Sequence, residues 1–128
     1  MIKNIDHIVL TVSNVERTKY FYCELLEMTY EEFGEGRRAL KFGTSKINLH
    51  LAGHEFEPKA HLAKPGTADL CFIIEGELEE MQARLVAAGI AILEGPVART
   101  GAKGSITSIY VRDPDLNLIE LSVYDGQG

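Results

Sequence analysis

Four residues of metal-binding type, His7, His50, Asp69 and Glu120, each fall in a short strand-like segment, on the face opposite that segment's apolar side chains. Side chains alternate across a strand with period two. In Ile5 to Val12, residues Ile8, Leu10 and Val12 share one face, and His7 is the odd polar group on the other, beside Ile5, Val9 and Thr11. Lys46 to Leu51 sets Lys46, Asn48 and His50 against Ile47, Leu49 and Leu51. Thr67 to Ile74 places Leu70, Phe72 and Ile74 opposite Asp69, and Leu118 to Tyr124 places Ile119, Leu121 and Val123 opposite Glu120 and Ser122. A chain with this pattern is held to a β-rich structure in which one face packs and the other can coordinate.

The 128 residues suit one domain, long enough to bury a core without staples. Cys23 and Cys71 form no CxxC or similar spacing, so reduced buried thiols and a cytoplasmic location are expected. The first residues lack the apolar run of a signal peptide, and no stretch approaches the roughly 20 apolar residues of a membrane span. A net charge of −6 with no basic stripe argues against nucleic acid and leaves a small molecule as the expected partner.

The order of elements repeats. Ser13-Asn14-Val15-Glu16 reads as a capping box opening a helix from about Asn14 to Glu27, with Phe21, Leu25 and Met28 at helical spacing. Extended pieces follow at 29–33, 38–42 and 46–51, separated by glycine-containing turns. The second half has a strand at 67–74, a helix at 77–88 closed by Gly89, and strands at 90–94, 105–112 and 117–124. An α+β fold of two βαβββ modules is therefore expected, at about 1–52 and 67–126, joined by a linker at 53–66. Each module carries one candidate ligand on its first strand and one on its last.

Asp69 lies among Ala68, Leu70, Cys71 and Phe72, where a buried carboxylate needs a cation or donor to offset several kcal/mol of desolvation. A divalent ion would satisfy all four candidates. Two imidazoles with two carboxylates suit Ni, Zn, Mn, Co or Fe in the divalent state rather than calcium. On a six-coordinate ion two adjacent positions would remain for neighbouring substrate oxygens. Arg99 and Lys103, in the segment from Arg99 to Gly104, are candidates to meet an anionic group; a solvated hairpin loop is the alternative.

Three stretches carry a family resemblance: Asp6-His7-Ile8-Val9-Leu10, then Phe21-Tyr22 with Leu25-Leu26-Glu27-Met28, and finally Asp113-Pro114-Asp115-Leu116-Asn117-Leu118-Ile119-Glu120-Leu121. Together they resemble the vicinal oxygen chelate superfamily, which includes glyoxalase I, extradiol dioxygenases, fosfomycin-modifying transferases and bleomycin-binding proteins. Leu116 stands where that family usually has glycine, so its turn must avoid a positive φ or accept strain.

The resemblance implies a half-open sheet around a metal cleft, a homodimer, and metal ligands at His7, His50, Asp69 and Glu120. Glyoxalase I usually has glutamate at the position of His50 and histidine at that of Asp69, so the two types are exchanged here. Tyr110 falls where fosfomycin transferases place a substrate-contacting tyrosine. The implied function is a metal-dependent glyoxalase-type lyase or isomerase. It would chelate a small substrate through neighbouring oxygens and form an enediolate, with Glu120 as base and with Arg99, Lys103 and Tyr110 on the substrate. The alternatives are a ferrous-iron extradiol-type dioxygenase and a non-catalytic drug- or metabolite-binding resistance protein.

Overall fold

The computed structural model describes residues 1–126, in two compact units that divide after Thr67. The α+β reading holds: each unit contains one four-stranded mixed sheet with little helix, and neither sheet closes on itself. None of the described helices is long and apolar enough to cross a membrane.

In the first unit the sheet order is β1-β4-β3-β2, built from β1 (His7–Val12), β2 (Thr29–Phe33), β3 (Arg37–Phe42) and β4 (Ser45–Leu51). β1 runs parallel to β4, and β3 is antiparallel to both of its neighbours. The helix differs from expectation. Asn14, rather than Ser13, is the cap: its Oδ1 accepts from the Arg17 N–H at 2.9 Å. Helix α1 (Val15–Lys19) then widens into a π-wound segment, Tyr20–Leu25. The wider turn buries adjacent Phe21 and Tyr22 together, their rings 4.9 Å apart and edge to face. With Leu10, Val12, Leu40, Ile47 and Leu49 they belong to the core. Each such aliphatic side chain contributes about 1.5–3 kcal/mol by leaving water.

The second unit repeats the plan as β5-β8-β7-β6, from β5 (Asp69–Ile73), β6 (Glu94–Gly101), β7 (Gly104–Arg112) and β8 (Leu118–Tyr124). β5 is parallel to β8, and β7 is antiparallel to β8 and β6. Helix α2 (Leu78–Ala87) buries Leu78 and Leu85. It stops at Gly89, whose φ of +81° lets the Ile90 N–H return to the Leu85 carbonyl at 2.9 Å.

The strand expected at 90–94 lies later, at Glu94–Gly101. Gly95 and Pro96 do not end it but form a bulge on an edge strand, where the missing proline N–H costs no ladder bond. Gly95 has φ +109°, and a Cβ there would come within 2.3 Å of the Ser108 carbonyl oxygen. Only glycine lets the two strands approach so closely.

The Asp113–Asn117 turn joins β7 to β8 through a buried clamp. Asp113 Oδ1 accepts from the N–H groups of Asp115 and Asn117, both at 2.9 Å, and Oδ2 accepts from Asn117 Nδ2 at 2.8 Å. Asn117 Oδ1 in turn accepts from the Ala68 N–H at 2.8 Å, which fixes the entry of β5 beside β8. Leu116 takes the strained alternative, at φ +69°.

Candidate functional site

Paired residues on neighbouring strands share a sheet face, so the register of the second unit defines a polar surface. Glu120 pairs with Cys71 on one side and Tyr110 on the other, while Ser122 pairs with Ser108. Asp69, opposite Leu118, lies two ladder positions from Glu120 on the same face. Glu120 is held rather than loose: the buried Ser108 Oγ donates to its Oε2 at 2.6 Å, and Ser122 Oγ approaches the same oxygen at 3.4 Å. Those hydroxyls leave Oε1 unengaged by either of them.

Asp69 is exposed, so water can solvate it. Water therefore offsets the charge of Asp69 without a cation, and the expected buried carboxylate is not found. Cys71 is likewise exposed rather than buried. Its sulfur is nonetheless desolvated enough to push the thiol pKa up, and the Glu120 charge adds to this against an opposing hydrogen bond from Ser122. Cys71 stays a thiol at neutral pH and is not an activated nucleophile.

Arg99 and Lys103 do not share one anion site. Arg99 lies within β6, not in a loop, and its guanidinium is already engaged. Nε donates to Tyr110 Oη at 3.0 Å, Nη2 to Glu94 Oε2 at 2.9 Å and Nη1 to the Ala98 carbonyl at 2.9 Å. Tyr110, Glu94 and Glu120 all hold it in the charged form. Lys103 occupies the two-residue hairpin turn, where its N–H donates to Tyr124 Oη at 3.1 Å. It lines a separate groove of about 580 Å³ with Tyr124, Ile73, Glu77 and Pro96. Arg99 and Tyr110 thus border Glu120, and Lys103 does not.

In the first unit His7, Asn48 and His50 share a face, with His7 opposite Lys46, Asn48 opposite Val9 and His50 opposite Thr11. His7 is exposed, and its Nδ1 lies 2.8 Å from Asp6 Oδ1. A carboxylate only accepts, so Nδ1 is the donor in this contact, and the ring is oriented with Nε2 turned away from Asp6. Asp6 is a positioning residue the sequence reading passed over; its signal was simple adjacency to His7.

His50 lies four ladder positions from His7 and is 7 % exposed. Its ring packs edge-on against Phe56 with centroids 5.5 Å apart, and the Arg37 guanidinium covers Phe56 at 4.4 Å. Burial, and then Arg37, push its pKa down, so it is a neutral imidazole. The side-chain atoms Asn48 Oδ1 and His50 Nδ1 are both buried without a hydrogen-bond partner among the described residues. An unsatisfied buried acceptor costs about 1–3 kcal/mol.

Within either unit, among the described residues, no three His, Cys, Asp or Glu side chains gather closely enough to hold a metal by themselves. Each unit instead offers a small donor group on a polar face: Asp69 with Glu120 in the second, and His7 with two orphaned buried atoms in the first. These donor types fit a divalent cation.

Comparison with known proteins agrees with this architecture. The chain is 53% identical over 123 residues to the glyoxalase domain-containing protein RDO1 of Mycosarcoma maydis, covering 96% of this chain and 69% of that protein. It is 53% identical over 124 residues to the virulence protein STM3117 of Salmonella typhimurium, covering 97% and 86%. The solved structure of the integron cassette protein VCH_CASS1 of V. cholerae superposes with a TM-score of 0.95 at 52% identity over 98% of both chains. The family model of the Glyoxalase/Bleomycin resistance protein/Dioxygenase superfamily matches residues 4–121, and the chain belongs to that superfamily.

Proposed function

We propose that the protein is a metal-dependent enzyme of the glyoxalase type, a lyase or isomerase that removes an α-proton from a small substrate bearing neighbouring oxygens. The observation that carries this reading is Glu120: a carboxylate with one oxygen fixed by a buried serine, on the same face as Asp69 and directly across the ladder from Tyr110. Members of the superfamily typically use divalent metals, bind small molecules and often form dimers.

The family resemblance implies His7, His50, Asp69 and Glu120 as donors; His7 shares a face of the first unit with the orphaned Asn48 and His50 atoms, and Asp69 shares a face of the second with Glu120. A divalent ion held there would supply positive charge that makes an α-proton of the substrate more acidic. Glu120 takes that proton, while Ser108 keeps the carboxylate from rotating. Tyr110, its hydroxyl held by Arg99, presents a polar group beside the carboxylate to orient substrate oxygen. Arg99 therefore acts on substrate through Tyr110 rather than as a free anion clamp. We propose a homodimer as well, tested by light scattering at micromolar concentration.

Proton–deuterium exchange tests the reading. Metal-loaded protein in D2O is given a panel of α-hydroxyketones and hemithioacetals, and loss of the α-proton is followed by NMR. Exchange by the wild type, abolished in Glu120→Gln with metal content retained, supports Glu120 as base. Equal exchange by Glu120→Gln removes it from that role.

A further inference from the structure

We infer that Asn48, rather than His50, is the residue of the first unit that joins His7 in binding the divalent ion. The inference rests on the metal-dependent reading above. Both units follow one ladder plan, so positions can be matched by register instead of by sequence distance. Asp69 opens β5, and Glu120 pairs with Cys71, two residues further along. His7 opens β1, and the residue paired two further along, with Val9, is Asn48. His50 pairs with Thr11, four along, and its counterpart in the second unit is Ser122, which pairs with Ile73. By position Asn48 matches Glu120, and His50 matches a serine that supports Glu120.

Reach favours the same assignment. With a rise of about 3.3 Å per residue and about 4.8 Å between strands, the Cα atoms of His7 and Asn48 lie about 8 Å apart and those of His7 and His50 about 14 Å. Side chains stand roughly perpendicular to a sheet, so their tips begin at similar spacings. Two donors on one ion, each at about 2.0–2.2 Å, need tips within about 4.4 Å. The first pair closes about 4 Å by leaning together, whereas the second must close about 10 Å.

Chemistry points the same way. Asn48 Oδ1 is a buried acceptor with no partner among the described residues, which a cation would supply. His50 has an orphaned nitrogen too, but its ring is packed against Phe56, and the Arg37 guanidinium on that ring sets a fixed positive charge nearby. A carboxamide oxygen beside the imidazole of His7 is a harder donor pair than two imidazoles, which favours manganese or magnesium over zinc or nickel.

Manganese titration of the full chain, stripped with chelator and followed by calorimetry and by the paramagnetic resonance of free Mn2+, tests the assignment without a substrate. The wild type is expected to bind Mn2+, Asn48→Ala to weaken the Kd at least tenfold, and His50→Gln to change it less than threefold. Asn48→Asp keeps the oxygen and adds charge, so it is expected to bind at least as tightly as the wild type, and it decides the matter if the alanine variant does not fold. Unchanged affinity in Asn48→Ala, or a tenfold loss in His50→Gln, overturns the assignment while leaving the metal-dependent reading in place. A wild type that takes up no Mn2+, Mg2+, Zn2+ or Ni2+ overturns that reading itself.

Discussion

Ser108 donates its hydroxyl to Glu120 Oε2 across 2.6 Å, from a position with no solvent exposure. A second short contact, 2.6 Å to Ser122 Oγ, holds Ser108 in turn. Hydrogen bonds to charged groups contribute about 1.5–3 kcal/mol when one side is buried. Ser108→Ala is expected to lower unfolding free energy by about 1–2 kcal/mol in urea titration, since the half-buried Glu120 regains some water. A change within about 0.3 kcal/mol, inside the usual scatter for surface substitutions, shows that the serine does not anchor the carboxylate.

Asn117→Ala removes two partners at once, leaving the Ala68 N–H and Asp113 Oδ2 without the contacts that tie the β7–β8 turn to β5. We expect a loss of about 2–4 kcal/mol, seen as a lower urea midpoint with an unchanged slope. A near-neutral result would mean that the turn is held by its backbone bonds alone.

Leu116 carries φ +69° on a side chain 67 % exposed, so it bears the cost of a left-handed residue with little packing in return. Relief of about 1–2 kcal/mol, less about 0.4–1 kcal/mol of added freedom in the unfolded chain, makes Leu116→Gly stabilising by about 0.5–1 kcal/mol. Thermal unfolding should show a higher Tm; a lower one would place a packing role on Leu116.

His50 makes stability pH-dependent. Burial, then Arg37, hold its folded-state pKa below the ordinary value, so the unfolded chain takes up the proton first. The stability this residue permits is full above about pH 6.5 and declines as pH falls below that value towards the lower folded pKa. Denaturant midpoints of metal-free protein between about pH 5 and 7 should fall on acidification, and His50→Phe should flatten that slope. A slope unchanged in His50→Phe would assign it to other groups.

Alternation in β4 and β8 was legible because each strand has one clean apolar face: Ile47 and Leu49, and Ile119 and Leu121, are buried as their spacing implies. The polar faces carrying His7, His50, Asp69 and Glu120 followed from the same period. Register did not, because nothing in a run of some 40 or 50 intervening residues says which partner Val9 or Cys71 will meet. Asn48 shares its face with His50, and by residue type alone the imidazole is the stronger ligand, so His50 was the one expected.

The exposure of Asp69 and Cys71 was not legible, because alternation tells which face a side chain takes and not what covers that face. The strand expected at 90–94 was ended at Glu94, since a bulge and a loop use the same residue types, here Gly95 and Pro96. The π-wound segment at Tyr20–Leu25 leaves the apolar pattern close to an ordinary helix, so only the burial of both Phe21 and Tyr22 reveals it.

Metal content tests the central claim most directly. Protein purified without added metal, analysed by elemental mass spectrometry and again after chelator treatment and dialysis against Mn2+, should carry close to one divalent ion per chain before stripping or after reloading. Less than about a tenth of an equivalent in both states would contradict a metal-dependent enzyme and leave a metal-free small-molecule binder.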